Sequence, residues 1–127
     1  MALLYYMEVL TVFPNTITLY HESDGQYTRH VITNCFYYDT KQATLNKTGI
    51  QNTDTMRVII DTATDIDIHE GYDIVVKGEC DIEIDNTSES TVATSLKALK
   101  KAVETWTVSS KSTNLYGGLP NIDLSCK

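Results

Sequence analysis

Short runs of β-branched and aromatic residues alternate with polar turns along most of the chain, a pattern typical of β-strands. The first run, residues 16–20, is followed by a polar turn at residues 21–25, and residues 27–38 (YTRHVITNCFYY) resume the strand character. These two runs predict a β-hairpin. Further strands are predicted at residues 55–61, 72–77, 106–108 and 122–126, the last after a chain break at Gly117, Gly118 and Pro120.

Residues 79–85 show the most regular alternation of apolar and acidic positions in the chain. Successive side chains of a strand point to opposite faces, so this alternation predicts a strand with one buried face. The buried face would carry Cys80, Ile82 and Ile84. The other face would be an acidic stripe, made of Asp81, Glu83 and Asp85.

One amphipathic helix is predicted over residues 87–104. Asn86 is the expected N-cap, and Glu89 lies three residues further on, as in a capping box. The apolar side chains that recur at helical spacing are Val92, Leu96, Leu99 and Val103. This stripe should pack on the sheet.

Two segments fall outside these elements. Residues 39–54 lack either regular period and are predicted to be a long loop, a type of segment that often binds partners. Residues 1–14 are apolar, but they lack a basic start, contain Glu8 and are shorter than the roughly 20 apolar residues of a membrane helix. We expect an N-terminal docking segment without secretion or membrane insertion.

The order of the elements, short strands with one late helix, is not the strand–helix alternation of a parallel sheet. It predicts a mainly β protein, a small antiparallel barrel or sandwich with one helix and a long loop. A chain of 127 residues is expected to form a single domain over residues 1–127.

The acidic composition narrows the range of partners. A formal net charge of −7 disfavours direct binding of nucleic acid, which depends largely on Lys and Arg, and it disfavours anionic membranes. The same charge suits a basic protein partner.

Candidate catalytic and metal-binding residues are few. The acidic cluster at residues 61–73 resembles a calcium loop only superficially, because with Asp65 as first ligand, Glu70 replaces the required Gly and Val76 the required Glu. His21, His30 and His69 lie in separate segments and are expected at the surface. We therefore predict a solvated acidic turn, no metal, no cofactor and no enzymatic activity.

The three cysteines, Cys35, Cys80 and Cys126, have no paired spacing and are expected to be free thiols. Cys35 and Cys80 should be buried, and Cys126 should be the most exposed of the three.

The phrases MRVIIDT and GYDIVVKGECDIEID, followed by a helix with Leu and Lys and by the ending NLYGGLPNIDLSCK, resemble the small head–tail connector proteins of tailed bacteriophages. The resemblance covers nearly the whole chain. It implies a small β-barrel in a homo-oligomeric ring of the virion neck, assembled in the host cytoplasm. Such a head-closure, or stopper, ring lies below the portal and adaptor and carries the tail-side proteins.

By position, residues 39–54 match the loop that reaches into the channel of such rings. The candidate partner-binding residues are Leu3, Tyr5, Tyr6, Val9, Phe13, Lys41, Leu45, Lys47, Ile50, Asp81, Glu83 and Asp85. The alternatives are a tail terminator or another neck ring protein, and, from a different class, a small-ligand-binding β-barrel or a hydrolase built on the acidic cluster.

Overall fold

A computed structural model of the chain describes residues 14–46, 49–61, 66–114 and 120–127, with side chains for all of these except residues 40–46 and 49–54. The described strands are β1 (Asn15–Ser23), β2 (Gln26–Asn46), β3 (Gly49–Asp61), β4 (Ile74–Lys77), β5 (Trp106–Asn114) and β6 (Asn121–Cys126). The described part of the chain also contains one helix, α1 (Glu89–Ala102), between β4 and β5.

The strands form a closed barrel in the order β1-β2-β3-β6-β5-β4, with β4 pairing again with β1. Every pair of neighbouring strands is antiparallel. The predicted fold class, an antiparallel β-barrel with one late helix, is confirmed.

A two-residue turn joins β1 to β2. Its central residues, Asp24 and Gly25, both have positive φ angles, 52° and 80°. Two such residues in succession define the turn type whose twist matches that of the flanking strands, and Asp-Gly is a preferred sequence for it. The first predicted hairpin is therefore present, with a shorter turn than residues 21–25.

The barrel interior is a packed hydrophobic core. It is lined by side chains that are each at most 7 % exposed: Ile17, Leu19, Ile32, Cys35, Met56, Val58, Ile60, Val75, Trp106, Val108, Ile122, Leu124 and Cys126. Burial of this apolar area is the main favourable term holding the strands together.

Helix α1 covers the outer face of β1 and β4. Tyr20 on β1 and Ile74 on β4 point out of the barrel and join a second cluster that includes Val92 and Leu99 of the helix. Both faces of these two strands are therefore buried. This explains why their sequences are apolar or small at consecutive positions.

The predicted buried stripe of the helix is confirmed, but its predicted N-terminus is wrong. The N-cap is Ser88, whose hydroxyl accepts the N–H of Thr91, and the Thr91 side chain accepts the N–H of Ser88 in return. Asn86 instead hydrogen-bonds through its side chain with both the backbone N–H and the backbone carbonyl of Tyr27.

Residues 79–85 alternate in burial as predicted but do not form a strand. Side chains replace the strand ladder, since Thr18 accepts the N–H of Cys80 at 2.8 Å and Tyr20 donates to the carbonyl of Ile82 at 2.6 Å. Arg29 adds a hydrogen bond to the carbonyl of Cys80. The segment is thus fixed across the outer face of β1 and β2 with its acidic side chains exposed.

The predicted long loop at residues 39–54 is also wrong. Residues 39–46 continue β2 and residues 49–54 belong to β3, with a register that runs from Asp39 opposite Met56 to Asn46 opposite Gly49. The ladder hydrogen bonds join backbone groups, so they do not require an alternating apolar pattern. The predicted break at Gly117 and Gly118 lies outside the described residues, whereas the final strand is confirmed as β6.

Candidate functional site

The β2–β3 hairpin extends well beyond the barrel. The pairing of β1 with β2 ends at Asn15 opposite Cys35, and the pairing of β6 with β3 ends at Met56 opposite Cys126. Seven further residue pairs of β2 and β3 follow, from Thr40 with Thr55 to Asn46 with Gly49. We call residues 40–46 and 49–55 the ribbon.

The ribbon is long enough to reach a neighbouring molecule. At about 3.4 Å per residue, its seven pairs project roughly 24 Å. Within the described residues, neither β1 nor β6 continues alongside it. A two-stranded ribbon is marginally stable by itself, so packing on another surface would stabilise it.

Aromatic side chains lie at the base of the ribbon. Phe36 and Tyr38 point outward from β2, 39 % and 40 % exposed, with ring centroids 5.9 Å apart. Arg57, opposite Tyr38 on β3, forms a two-pronged ion pair with Asp123 of β6. This pairing raises the pKa of Arg57. Tyr, Phe and Arg are enriched in protein interfaces.

The acidic stripe, Asp81, Glu83 and Asp85, is exposed as expected. Arg29 approaches Asp81 at 3.7 Å, but the Asp81 side chain remains 97 % exposed. Hydrogen bonds from the hydroxyl and then the N–H of Thr87 lower the pKa of Asp85. The stripe is therefore a charged surface suited to a basic partner.

A second polar cluster lies at the opposite ends of β1 and β4 from the ribbon. It consists of His21, Glu22, His69 and Asp73, and we call it the polar clamp. The Asp73 carboxylate is fully buried and lies 2.9 Å from Nδ1 of His21. It also accepts the N–H of Glu22 at 2.8 Å and the N–H of His69 at 3.0 Å.

Glu22 completes the polar clamp. Its carboxylate accepts the N–H of Gly25 at 2.8 Å and contacts Nδ1 of His69. The hydrogen bond from Gly25, followed by the contact with His69, lowers the pKa of Glu22. The clamp therefore ties the β1–β2 turn to the segment that precedes β4.

His30 and His69 are exposed and His21 is half-buried near the end of β1, in keeping with the expectation of surface or strand-edge histidines. His21 and His69 are also paired with carboxylates of the polar clamp. The clamp corrects the expectation for the acidic cluster. The acidic cluster is not simply a solvated turn, because Asp61 and Asp73 are buried. Asp65 of that cluster lies outside the described residues.

The chemistry available to the clamp is limited by the strand. His21 and Glu22 are neighbours on β1 and point to opposite faces, so the imidazoles of His21 and His69 approach from different sides. Among the described residues, no group of three or more His, Cys, Asp or Glu side chains is placed to hold a metal ion.

The three cysteines are free and buried. Burial raises the pKa of both Cys35 and Cys126 to about 12. Cys126 was expected to be the most exposed, but it lies in the barrel interior at 0 % exposure because β6 places it inward.

One protein-family model, described as "Family of unknown function (DUF6751)", matches residues 12–127. The chain belongs to this family. No curated protein and no solved structure gives a significant match.

The structure separates the predicted partner-binding residues into three groups. Lys41, Leu45 and Ile50 lie on the ribbon, where the backbone pairs Lys41 with Asp54 and Leu45 with Ile50. The acidic stripe lies on the outer wall beside α1. The remaining predicted residues, Leu3, Tyr5, Tyr6, Val9, Phe13 and Lys47, lie outside the described residues, as does most of the predicted docking segment 1–14.

The polar clamp was not predicted from the sequence. The clamp depends on the pairing of β1 with β4, which places Tyr20 opposite Ile74 and so brings His21 next to Asp73. The ends of both predicted strands were visible in the sequence, but their pairing was not.

No helix in the described part of the chain is long and apolar enough to span a membrane.

Proposed function

We propose that this chain is a structural protein of a tailed bacteriophage that forms a head-closure ring in the neck of the virion. The observation that carries the proposal is the ribbon, which extends about seven residue pairs beyond a closed barrel. In a ring, such an element could reach a neighbouring subunit or the central channel. The resemblance of the sequence to head–tail connector proteins supports the same assignment.

A closed barrel needs partners only at its ends and outer wall. Pairing all six strands in a circle removes exposed sheet edges, which otherwise promote uncontrolled association. The ribbon extends from β2 and β3 at the end of the barrel where β1 begins. The polar clamp lies at the opposite end of the barrel. A head-closure ring has a portal and adaptor side and a tail side, and two different ends suit these two sets of partners.

The side wall supplies further contacts for a ring. A cyclic ring joins two different patches of neighbouring subunits. The aromatic base of the ribbon and the acidic stripe are two chemically different exposed surfaces. The net charge of −7 also keeps a subunit near the channel from adhering to passing DNA.

The packed interior weighs against the alternative of a small-ligand-binding barrel. Thirteen side chains, each at most 7 % exposed, occupy the space where such a barrel holds its ligand. A tail terminator would share the ring and the ribbon, and the phenotype of a deletion separates it from a stopper.

The test is complementation of a phage from which this gene has been deleted. We would supply the wild-type chain or a ribbon-shortened variant in which a new Asn-Gly turn joins Ala43 to Asn52. The control variant is Ser112→Ala, on the exposed part of β5. The ribbon-shortened variant keeps all the strand pairs of the barrel, so thermal unfolding should show that it is folded.

We expect the deletion to yield tail-less heads that lose their DNA, alongside complete free tails. The wild-type chain and Ser112→Ala should restore virions, and the shortened ribbon should not. Complete heads with tails of uncontrolled length would identify a tail terminator instead. Normal virions in the deletion would contradict a structural role in the neck.

A further inference from the structure

Tyr72 is the most exposed large hydrophobic side chain of the described residues, at 54 %. Its ring stacks on His69 with the centroids 4.3 Å apart and the planes tilted by 27°. His69 is itself held at two points. Its backbone N–H donates to the carboxylate of Asp73, and its ring Nδ1 contacts the carboxylate of Glu22. The polar clamp therefore supports an exposed aromatic ring.

The backbone fixes the same turn. Gly71 has a φ of 89°, which favours glycine, and its N–H donates to the carbonyl of Val108 at 2.7 Å. The N–H of Tyr72 donates to the carbonyl of His69 at 3.2 Å. The hydroxyl of Tyr27 reaches the carbonyl of Tyr72 at 3.4 Å. A side chain on such a fixed turn loses little conformational entropy on binding.

The surroundings of Tyr72 are negatively charged. Residues 66–73 contain Asp67, Glu70 and Asp73 and no Lys or Arg, and Asp67 and Glu70 are exposed. Glu22 and Asp73 are buried within the polar clamp, so the carboxylates open to a ligand are those of Asp67 and Glu70. An aromatic face beside carboxylates attracts a cation, and a planar guanidinium can both stack on a ring and pair with a carboxylate.

We propose that the Tyr72–His69 stack is a preformed binding surface for an arginine side chain of a basic protein partner. The guanidinium would lie on the outer face of the Tyr72 ring, and the neighbouring carboxylates would balance its charge. The assignment rests on charge complementarity and on the fixed ring. It holds whether or not the chain belongs to a phage neck.

The test is a titration of the full chain with a Gly-Arg-Gly-Arg-Gly peptide. NMR monitors the chemical shifts of backbone amides and aromatic rings at each peptide concentration. The matched peptide carries citrulline, which has nearly the shape of arginine but no charge. We expect saturable shifts centred on residues 69–72 with the arginine peptide alone. Tyr72→Leu should weaken binding by roughly two- to fivefold, as expected for loss of a cation–π contact of about 0.5 to 1 kcal/mol at an exposed site.

Val31→Ala is the control, because Val31 is also an exposed apolar side chain but lies on β2 opposite Thr18, outside the surfaces assigned to partners. It should bind the arginine peptide like the wild type. Unchanged methyl shifts of Val75 and Leu124 would show that each variant keeps the barrel core. Equal shifts with the citrulline peptide, wild-type binding by Tyr72→Leu, or shifts centred on the acidic stripe would each overturn the proposal.

Discussion

The hydroxyl of Thr18 is fully buried and has two partners, the carbonyl of Gly78 and the N–H of Cys80. Thr18→Val keeps the shape of the side chain but leaves both backbone groups without this partner. We expect a loss of about 1 to 3 kcal/mol in the free energy of unfolding, measured by urea denaturation. Thr28→Val, on an exposed site of β2, should change it by less than about 0.5 kcal/mol. Equal effects would contradict the tether between β1 and residues 79–85.

Glu22 gives the polar clamp a dependence on pH. Its pKa is lowered in the folded protein, so its stabilising contribution is present above the unfolded pKa and is lost as pH falls through the folded value. The difference in unfolding free energy between wild type and Glu22→Gln should therefore shrink as pH falls below about 5. Ser112→Ala, which removes no ionisable group from an exposed site, should stay parallel to the wild type. A difference that does not change between pH 6 and pH 3 would exclude this role.

At the scale of the elements, α1 begins at a different N-cap from the one predicted, at Ser88 and not at Asn86. Ser88→Ala removes the hydroxyl that accepts the N–H of Thr91 and should cost about 1 kcal/mol. Ser90→Ala, at an exposed position in the first turn, should be neutral or slightly stabilising because Ala favours helices. Thermal unfolding followed by circular dichroism measures both. If Ser88→Ala left the unfolding free energy unchanged, the hydroxyl of Ser88 would not be the N-cap of the helix.

The sequence predicted the local elements well and their pairing poorly. Six of the seven predicted strands and the apolar stripe of the helix are present because burial acts on each segment separately. The ribbon was missed because its sequence follows neither regular period, whereas its ladder joins backbone groups, and the polar clamp because β1 pairs with β4 across more than fifty residues. The alternation at residues 79–85 was real, but Thr18, Tyr20 and Arg29 take the place of a partner strand.

At the scale of the whole molecule, the closed barrel separates two different ends. One end carries the ribbon. Lys77 lies at the base of the ribbon, where its ammonium pairs with Asp39 at 2.8 Å and contacts the rings of Tyr37 and Trp106. The other end carries the polar clamp and Tyr72. A rigid core with distinct ends suits a subunit placed between two sets of partners, as proposed for the phage neck.

The most direct test of that role is hydrogen exchange on the isolated chain and on the chain mixed with tail-less heads of a phage that encodes it. A two-stranded ribbon without a partner should exchange readily, whereas barrel amides such as those of Leu19 and Val58 should be protected in both samples. The connector proposal predicts that the amides of residues 40–46 and 49–55 become protected only when heads are present. Identical exchange of the ribbon with and without heads would contradict it.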